Sequence, residues 1–256
     1  MLLAGDIGNS TITVGLFDGQ VLIAHWRLSS DASKTEDEYR AILRDLLRAE
    51  ELSWEHVTGG ILCSVVPLLT PRLQGVIESA THRAPILVST ALDLGLRLDH
   101  YPRPDEIGTD RLVNASAAYA RYGRSVIVVD LGTATTFDVV GRDGAFLGGA
   151  IAPGLGIGAD ALTGRTAQLP RVELHLPKSA IGHTTAASMQ SGIMLGYAGL
   201  IDGLVDRIQR ELPSPATVIG TGGLSPLIAP ACRSIEHQRP HLTLEGLALL
   251  YGRYRS

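Results

Sequence analysis

The sequence DIGNST at residues 6–11 recurs in altered form as DLGTAT at residues 130–135. Each copy lies between two apolar stretches whose composition is typical of β-strands. Glycine permits a tight turn there, and the turn presents an acidic side chain, hydroxyl groups and free backbone N–H groups at one point. The pattern therefore predicts two β-hairpins whose tips bind phosphate groups and their metal ion.

One Asp-x-Gly turn alone is weak evidence, since ordinary β-turns also contain it. Two copies in the same strand context favour a phosphate site. They also predict two related halves that face each other across a nucleotide cleft.

Composition limits the class of protein. With 256 residues and 45% hydrophobic content, the chain can bury the core of two modest domains or one large one. The net charge is −4 and the 22 basic residues are scattered, which argues against a nucleic-acid partner. Two cysteines are too few for a disulfide framework, no basic leader precedes the first strand, and no apolar run reaches the ~18 residues of a membrane span. We therefore expect a soluble, cytoplasmic protein with no membrane partner.

Hydrophobic periodicity predicts an α/β chain with the same element order in both halves. The first half has predicted strands at residues 2–6, 12–17, 21–28, 60–66 and 86–89, a helix beginning at the capping box Thr35–Glu38, and a helix after Pro71. The second has predicted strands at 126–130, 136–140, 146–151 and 217–221, with helices at 188–212, after Leu224 and at 244–254. Pro102 and Pro104 predict a boundary near residues 98–105, which gives domains of residues 1–104 and 105–256. Three strands, a helix, then strand, helix and strand is a ribonuclease-H-like unit, here duplicated.

A third motif, GTGG at residues 220–223, follows a predicted strand and precedes a predicted helix. Alone, it is at least as consistent with a simple strand-to-helix turn. After two phosphate hairpins, it indicates a contact for the adenine side of a nucleotide. This layout resembles the actin-like, hexokinase-like and heat-shock-chaperone ATPases.

Over essentially its full length the chain resembles the type III pantothenate kinases of bacteria. The resemblance is carried by DIGNST at 6–11, GTDR at 108–111, DLGTAT at 130–135, GGAIAPG at 148–154, Thr185, Gly222-Gly223 and LTLEG at 242–246. It implies transfer of the γ-phosphate of ATP to the 4′-hydroxyl of pantothenate, the first step of coenzyme A biosynthesis.

The resemblance also implies the ATP and metal contacts. Asp6 would orient Mg²⁺, and Asp130 would bind a monovalent cation, K⁺ or NH₄⁺. The residues implied to contact ATP are Asp6, Ile7, Gly8, Asn9, Ser10, Thr11, Ile12 and Thr13, with Thr133 from the opposite hairpin.

Asp110 is the candidate general base, because it begins an apolar helix whose N-terminus favours an ionised carboxylate. From the residues alone, an ordinary helix N-cap region is the better interpretation; the resemblance favours the base. Arg111 offers a planar fork for the pantothenate carboxylate. The resemblance adds further substrate contacts at Tyr101, Gly108, Thr109 and Thr185.

The glycine-rich run at residues 148–158 admits two interpretations. The resemblance implies a homodimer whose interface completes the site, and the apolar residues of this run fit an interface. An internal glycine-rich loop is the alternative.

Two rival functions remain at this point. One is another kinase of the same superfamily, acting on a sugar or on acetate. The other is a non-catalytic regulatory or accessory protein on the same fold, which the joint presence of the motif residues disfavours.

Overall fold

The computed structural model of the chain describes residues 1–165 and 169–255. Its strands are β1 (Leu2–Ile7), β2 (Thr11–Asp18), β3 (Val21–Ser29), β4 (Gly59–Ser64), β5 (Ile86–Leu87), β6 (Val126–Leu131), β7 (Ala134–Val140), β8 (Phe146–Pro153), β9 (Thr217–Thr221) and β10 (His237–Gln238). Its α-helices are α1 (Glu36–Ala49), α2 (Thr70–Thr81), α3 (Thr109–Tyr122), α4 (Leu155–Gly164), α5 (Thr185–Glu211), α6 (Ser225–Ile228) and α7 (Leu242–Arg255).

The strands form two five-stranded sheets of the same topology. The first has the order β3-β2-β1-β4-β5, and the second, in the same direction, has the order β8-β7-β6-β9-β10. In each sheet the first three strands pair antiparallel and the remaining pairings are parallel. This repeated order confirms the predicted duplicated ribonuclease-H-like fold.

The chain divides into two compact units. Unit 1 comprises Met1–Gly95, Arg103–Ala117 and the chain from Thr243 on; unit 2 comprises Leu96–Pro102 and Ala118–Leu242. These units are defined by contacts. They differ from a single division at residue 104, because residues 105–117 and all of α7 after Leu242 group with the first sheet. The proposed domain division into residues 1–104 and 105–256 stays a prediction.

Each sheet has a core on the face that its helices cover. In unit 1, Leu3, Ile7 and Ile12 pack with residues of α1 and α2, including Tyr39 and Leu43. In unit 2, the equivalent strand residues of β6 and β7 pack with α5. Because side chains alternate along a strand, Asp6 and Asp130 project from the other face of their sheets.

Most element bounds agree with the sequence within two or three residues. The capping box is present, with Thr35 accepting from the Glu38 N–H and the Glu38 carboxylate accepting from the Thr35 N–H. The interpretation of residues 148–158 as one glycine-rich loop is wrong, because β8 continues to Pro153 and α4 begins at Leu155.

Candidate active site

The first hairpin places three polar side chains on one face of its sheet. Asp6 on β1 is opposite Thr13 on β2, and Ile7 is opposite Ile12. Asp6, Thr11 and Thr13 are partly exposed, whereas Ile7 and Ile12 are fully buried in the core. Any contact of ATP with these two isoleucines would therefore involve their backbone, not their side chains.

The turn itself is held by hydrogen bonds within unit 1. The Gly8 N–H donates to the Thr11 carbonyl at 3.0 Å, so this N–H is already used inside the hairpin. The hydroxyl of Ser30 donates to the Gly8 carbonyl, and the Ser30 backbone N–H donates to the Ser10 carbonyl at 3.2 Å. Asn9 and Ser10 are exposed at the tip. The Gly8 N–H is therefore not one of the free backbone N–H groups expected at this turn.

Cys63 is a site neighbour that the motifs did not reveal. In the parallel pairing of β1 with β4, Cys63 is opposite Asp6, and its thiol donates to Asp6 Oδ1 at 3.4 Å. Burial, followed by the nearby carboxylates of Asp6 and Asp110, raises the pKa of Cys63 well above its ordinary value. The thiol therefore stays protonated and lies near both carboxylates.

Asp110 occupies the first turn of α3, within unit 1. Its Oδ1 accepts from the Arg111 N–H at 2.8 Å. Burial raises the pKa of Asp110, and the Arg111 N–H and guanidinium oppose this shift. A raised pKa makes this carboxylate a stronger base than an exposed aspartate.

Gly108 leaves room for that carboxylate. A Cβ at Gly108 would lie 2.5 Å from Asp110 Oδ1 and 3.4 Å from Val65. A larger residue at position 108 would displace the Asp110 side chain. Arg111 is partly exposed next to it.

The Thr109 hydroxyl makes two hydrogen bonds to the end of β4. It accepts from the Ser64 N–H at 3.0 Å and donates to the Ser64 carbonyl at 3.0 Å. Both bonds lie within unit 1, and they join the first residue of α3 to the last residue of β4.

The second hairpin repeats the first within unit 2. Asp130 is opposite Thr136 on β7, and the Gly132 N–H donates to the Ala134 carbonyl at 3.1 Å. Asp130 is partly exposed, and Thr133 is exposed at the tip. The neighbour of Asp130 on the parallel strand is Thr221, at the position equivalent to Cys63.

The glycine-rich turn lies against this carboxylate. Gly222 has φ +88°, and a Cβ there would come within 2.4 Å of Asp130 Oδ1. The hydroxyls of Thr221 and Ser225 are buried and have no hydrogen-bond partner among the described residues. The helix predicted after this turn is present but short, because α6 has only four residues.

Two of the expected substrate contacts lie elsewhere in unit 2. Tyr101 is partly buried and packs edge-on against Phe146, with ring centroids 5.7 Å apart. Thr185 is exposed and begins α5, after the N-cap Thr184, whose hydroxyl accepts from the Ala187 N–H. The structure thus brings Asp6, Gly108, Thr109, Asp110 and Arg111 into unit 1 and Tyr101, Asp130, Thr133 and Thr185 into unit 2.

The described residues hold neither a preformed metal cluster nor a membrane-spanning helix. Across residues 1–165 and 169–255, His, Cys, Asp and Glu side chains form no group of three or more that could hold a metal ion. In the same part of the chain, the helices are too short or too polar to span a membrane.

Two sheets of identical topology, each with an aspartate hairpin at its centre, define the actin-like ATPase and sugar-kinase class of fold. Solved structures of other proteins have a similar fold. An inorganic polyphosphate/ATP-glucomannokinase from Arthrobacter sp. strain KM matches with a TM-score of 0.52 at 16% identity over 99% of both chains. A Campylobacter jejuni protein described as a Baf family transcriptional activator matches with a TM-score of 0.61 at 17% identity over 98% of both chains. At these identities the likeness shows the fold alone.

Sequence comparison gives the family. The family profile of type III pantothenate kinases matches residues 2–207. The type III pantothenate kinase of Moorella thermoacetica is 47% identical over 253 residues, which cover 99% of each chain. The chain belongs to the type III pantothenate kinase family.

Proposed function

We propose that this chain is an ATP-dependent pantothenate kinase in which Asp110 is the general base. The observation that carries the proposal is the buried Cys63 thiol, which donates to Asp6 and lies within the electrostatic range of Asp110, in a chain of this family. Phosphoryl transfer to an alcohol needs a metal-held triphosphate and a carboxylate near the attacking hydroxyl, and the side chains of Asp6 and Asp110 fit those roles.

In the proposed reaction, the 4′-oxygen of pantothenate attacks the γ-phosphorus as the bond from that phosphorus to the ADP oxygen breaks. The hydroxyl proton passes to Asp110, so charge and atoms balance. The raised pKa of Asp110 favours this transfer.

The substrate contacts remain proposals for each residue. Arg111 is proposed to bind the pantothenate carboxylate, because a guanidinium pairs with a carboxylate through two parallel hydrogen bonds. Gly108 and Thr109 belong to the same segment and are proposed to contact pantothenate through their backbone. Within unit 2, the partly buried ring of Tyr101 and the exposed hydroxyl of Thr185 are available to a substrate.

The first hairpin is proposed to contact the ATP phosphates through residues 6–13, and Thr133 is proposed to do so at the second hairpin. The donor chemistry at Asp6 fits Mg²⁺, which prefers oxygen ligands and keeps several waters. Since ATP phosphates supply further oxygens, one protein carboxylate suffices. When bound, the ion would neutralise charge on the phosphates.

Asp130 is proposed to bind a monovalent cation, K⁺ or NH₄⁺. The buried Thr221 hydroxyl supports this, because a buried polar group without a partner is unfavourable and indicates an additional ligand. In the equivalent position of unit 1, the Cys63 thiol instead donates to Asp6. Oxygen atoms that replace the hydration shell are what K⁺ requires.

We also propose a homodimer that uses the exposed face of α4 and α5. Glycines recur along α5 at positions where a Cβ would meet no atom within 4 Å: Gly192, Gly196, Gly199 and Gly203. Between the two helices lies an open, mainly apolar groove of about 220 Å³. Ile151 is 66% exposed and Ile157 is 48% exposed on the adjoining β8 and α4. An exposed apolar surface next to a glycine stripe fits close packing against a second copy.

A cytoplasmic location is proposed as well. Both cysteines are free, and Cys63 is buried. Free thiols are typical of a reducing compartment.

The experiment that tests the proposed base compares Asp110→Asn with Glu106→Gln. Glu106 is an exposed carboxylate four residues earlier, so its variant controls for loss of charge. We expect Asp110→Asn to lower kcat by about 10²- to 10⁴-fold while ATP still binds, because general-base catalysis has that size. Turnover of Asp110→Asn at the level of Glu106→Gln would contradict the assignment.

A further inference from the structure

The hydroxyl of Thr109 lies next to the proposed base, and both of its hydrogen bonds go to one residue of the protein. It donates its single proton to the Ser64 carbonyl and accepts from the Ser64 N–H. A threonine hydroxyl has one proton to donate, so Thr109 has no second one to offer a substrate. This geometry leaves the hydroxyl no proton to donate in the substrate contact that the resemblance implies for Thr109.

The end of β4 explains why a hydroxyl is needed there. On one side, β4 pairs with β1 up to Ser64, and the Val65 N–H donates to the Ile7 carbonyl at 3.1 Å. On the other side, β5 pairs only with Ile61 and Leu62. The Ser64 backbone therefore lies beyond its strand neighbour, and the Thr109 hydroxyl satisfies both of its backbone groups.

The end of β4 also contacts Asp6, the second carboxylate of the candidate site. Cys63 precedes Ser64, and its buried thiol donates to Asp6. Consecutive residues of β4 thus contact Asp6 through a side chain and the helix of Asp110 through the backbone. A shift of α3 relative to β4 would change the separation of the two carboxylates.

We propose that Thr109 is a positioning residue, which fixes Asp110 by joining the first turn of α3 to the end of β4, and that its hydroxyl does not donate a hydrogen bond to pantothenate. The inference rests on the proposed function, since it takes Asp110 as the base.

The proposal predicts an effect on turnover and not on substrate affinity. Removal of the hydroxyl frees the first turn of α3, and displacement of a catalytic group by ~1 Å costs about 10²-fold in rate. We expect Thr109→Val to lower kcat by roughly 10- to 100-fold, with the KM for pantothenate changed by less than about threefold.

Thr70→Val is the matched control. The Thr70 hydroxyl donates to Ser64 Oγ at 2.7 Å, so it contacts the same residue, but it lies on α2 and does not precede the base. Both variants remove one threonine hydroxyl near Ser64. We expect only Thr109→Val to lower kcat.

The measurement is kcat and KM for pantothenate and for ATP, with melting temperatures, in wild type, Thr109→Val, Thr109→Ser and Thr70→Val. Restoration of kcat by Thr109→Ser, which keeps the hydroxyl, would support the proposal. If Thr109→Val does not fold, Thr109→Ala, which leaves room for a water at Ser64, takes its place with the same expected result.

Two results would overturn the proposal. A raised KM for pantothenate at unchanged kcat would show that the hydroxyl binds substrate, and wild-type values would show that it does not position the base. Asp110→Asn, assayed in parallel, distinguishes failure of this inference from failure of the proposed function. If Asp110→Asn is inactive while Thr109→Val is fully active, only the inference about Thr109 is contradicted. If Asp110→Asn is itself fully active, the proposed function of Asp110 as the base is contradicted.

Discussion

At the scale of single residues, Asp110 is held in an environment that opposes its charge. Burial raises its pKa above 3.8, so the ionised form is less favourable in the folded chain than in the unfolded one. The stability contributed by the protonated group is fully present below the unfolded pKa and is lost as pH rises through the folded pKa. A catalytic carboxylate at this position therefore lowers the free energy of unfolding near neutral pH.

Asp110→Asn should accordingly raise the melting temperature at pH 7 while it lowers activity. Each kcal/mol corresponds to about 2–4 °C in a chain of this size, and we expect a gain of a few degrees. Thermal unfolding between pH 3 and pH 8 measures it. A gain that disappears at the acidic end agrees with burial of the charged carboxylate as the cause; a lower melting temperature at pH 7 contradicts it.

Gly222 offers a second test at this scale, because its positive φ and its contact with Asp130 can be separated. Gly222→Ala should destabilise the chain by more than about 1 kcal/mol, since the new Cβ would collide with Asp130 Oδ1 and the Leu131 backbone. Gly123 also has a positive φ, +61°, but a Cβ there meets nothing within 4 Å. Gly123→Ala is therefore the control for backbone strain. Unfolding in denaturant measures the stability of both variants. Equal losses in the two variants would mean that the contact with Asp130 is unimportant.

At the scale of elements, one buried carboxylate fixes the segment that leads into β10. Asp202 on α5 accepts from the Arg233 N–H at 2.9 Å, the Ser234 N–H at 2.9 Å and the Ser234 hydroxyl at 2.8 Å. Burial opposes its ionisation, but the hydrogen bonds from Ser234 and Arg233 outweigh burial and lower the pKa of Asp202. Its contribution to stability is present above the unfolded pKa and is lost as pH falls through the folded pKa.

Asp202→Asn should therefore lower stability by about 2 kcal/mol or more at pH 7, because hydrogen bonds to charged groups are worth ~1.5–3 kcal/mol each. Asp206→Asn, at an exposed position one turn later on α5, is the control. Thermal or urea unfolding of both variants measures the difference. Similar stability of the two variants would show that the segment does not depend on Asp202.

The elements also show which parts of the fold could be predicted from the sequence. Strands β1, β6 and β9 were predictable because short apolar runs with β-branched residues ended at turn glycines. Helix α4 was not, since glycines at 156 and 158 lower helix propensity, and its packing against α5 compensates.

Some residues of the candidate site could likewise be predicted from the sequence, and others could not. Motif residues such as Asp6 and Asp110 could be predicted because they lie within short recognisable segments. Cys63 and Ser64 could not, because their roles depend on strand register and on contacts with residues 57 and 45 positions away.

At the scale of the whole molecule, the proposed dimer depends on the exposed face of α4 and α5. Ile157→Glu should yield monomers, because a charge buried in an apolar interface without a partner is strongly unfavourable. Val21→Glu is the control: Val21 is also apolar and 64% exposed, but it lies on β3 in unit 1. Light scattering after size-exclusion chromatography measures the mass. A dimer that persists in Ile157→Glu, or a monomeric wild type, would contradict the proposed surface.

The central claim is the reaction itself, and its most direct test is ATP-dependent phosphate incorporation into pantothenate by the purified protein. Mg²⁺ is present throughout, and K⁺ is either included or replaced by Na⁺. We expect 4′-phosphopantothenate in the presence of K⁺ and much less with Na⁺, which would support both the kinase and the cation role of Asp130. Absence of product under both conditions, from a folded protein that still binds ATP, would contradict the proposed function.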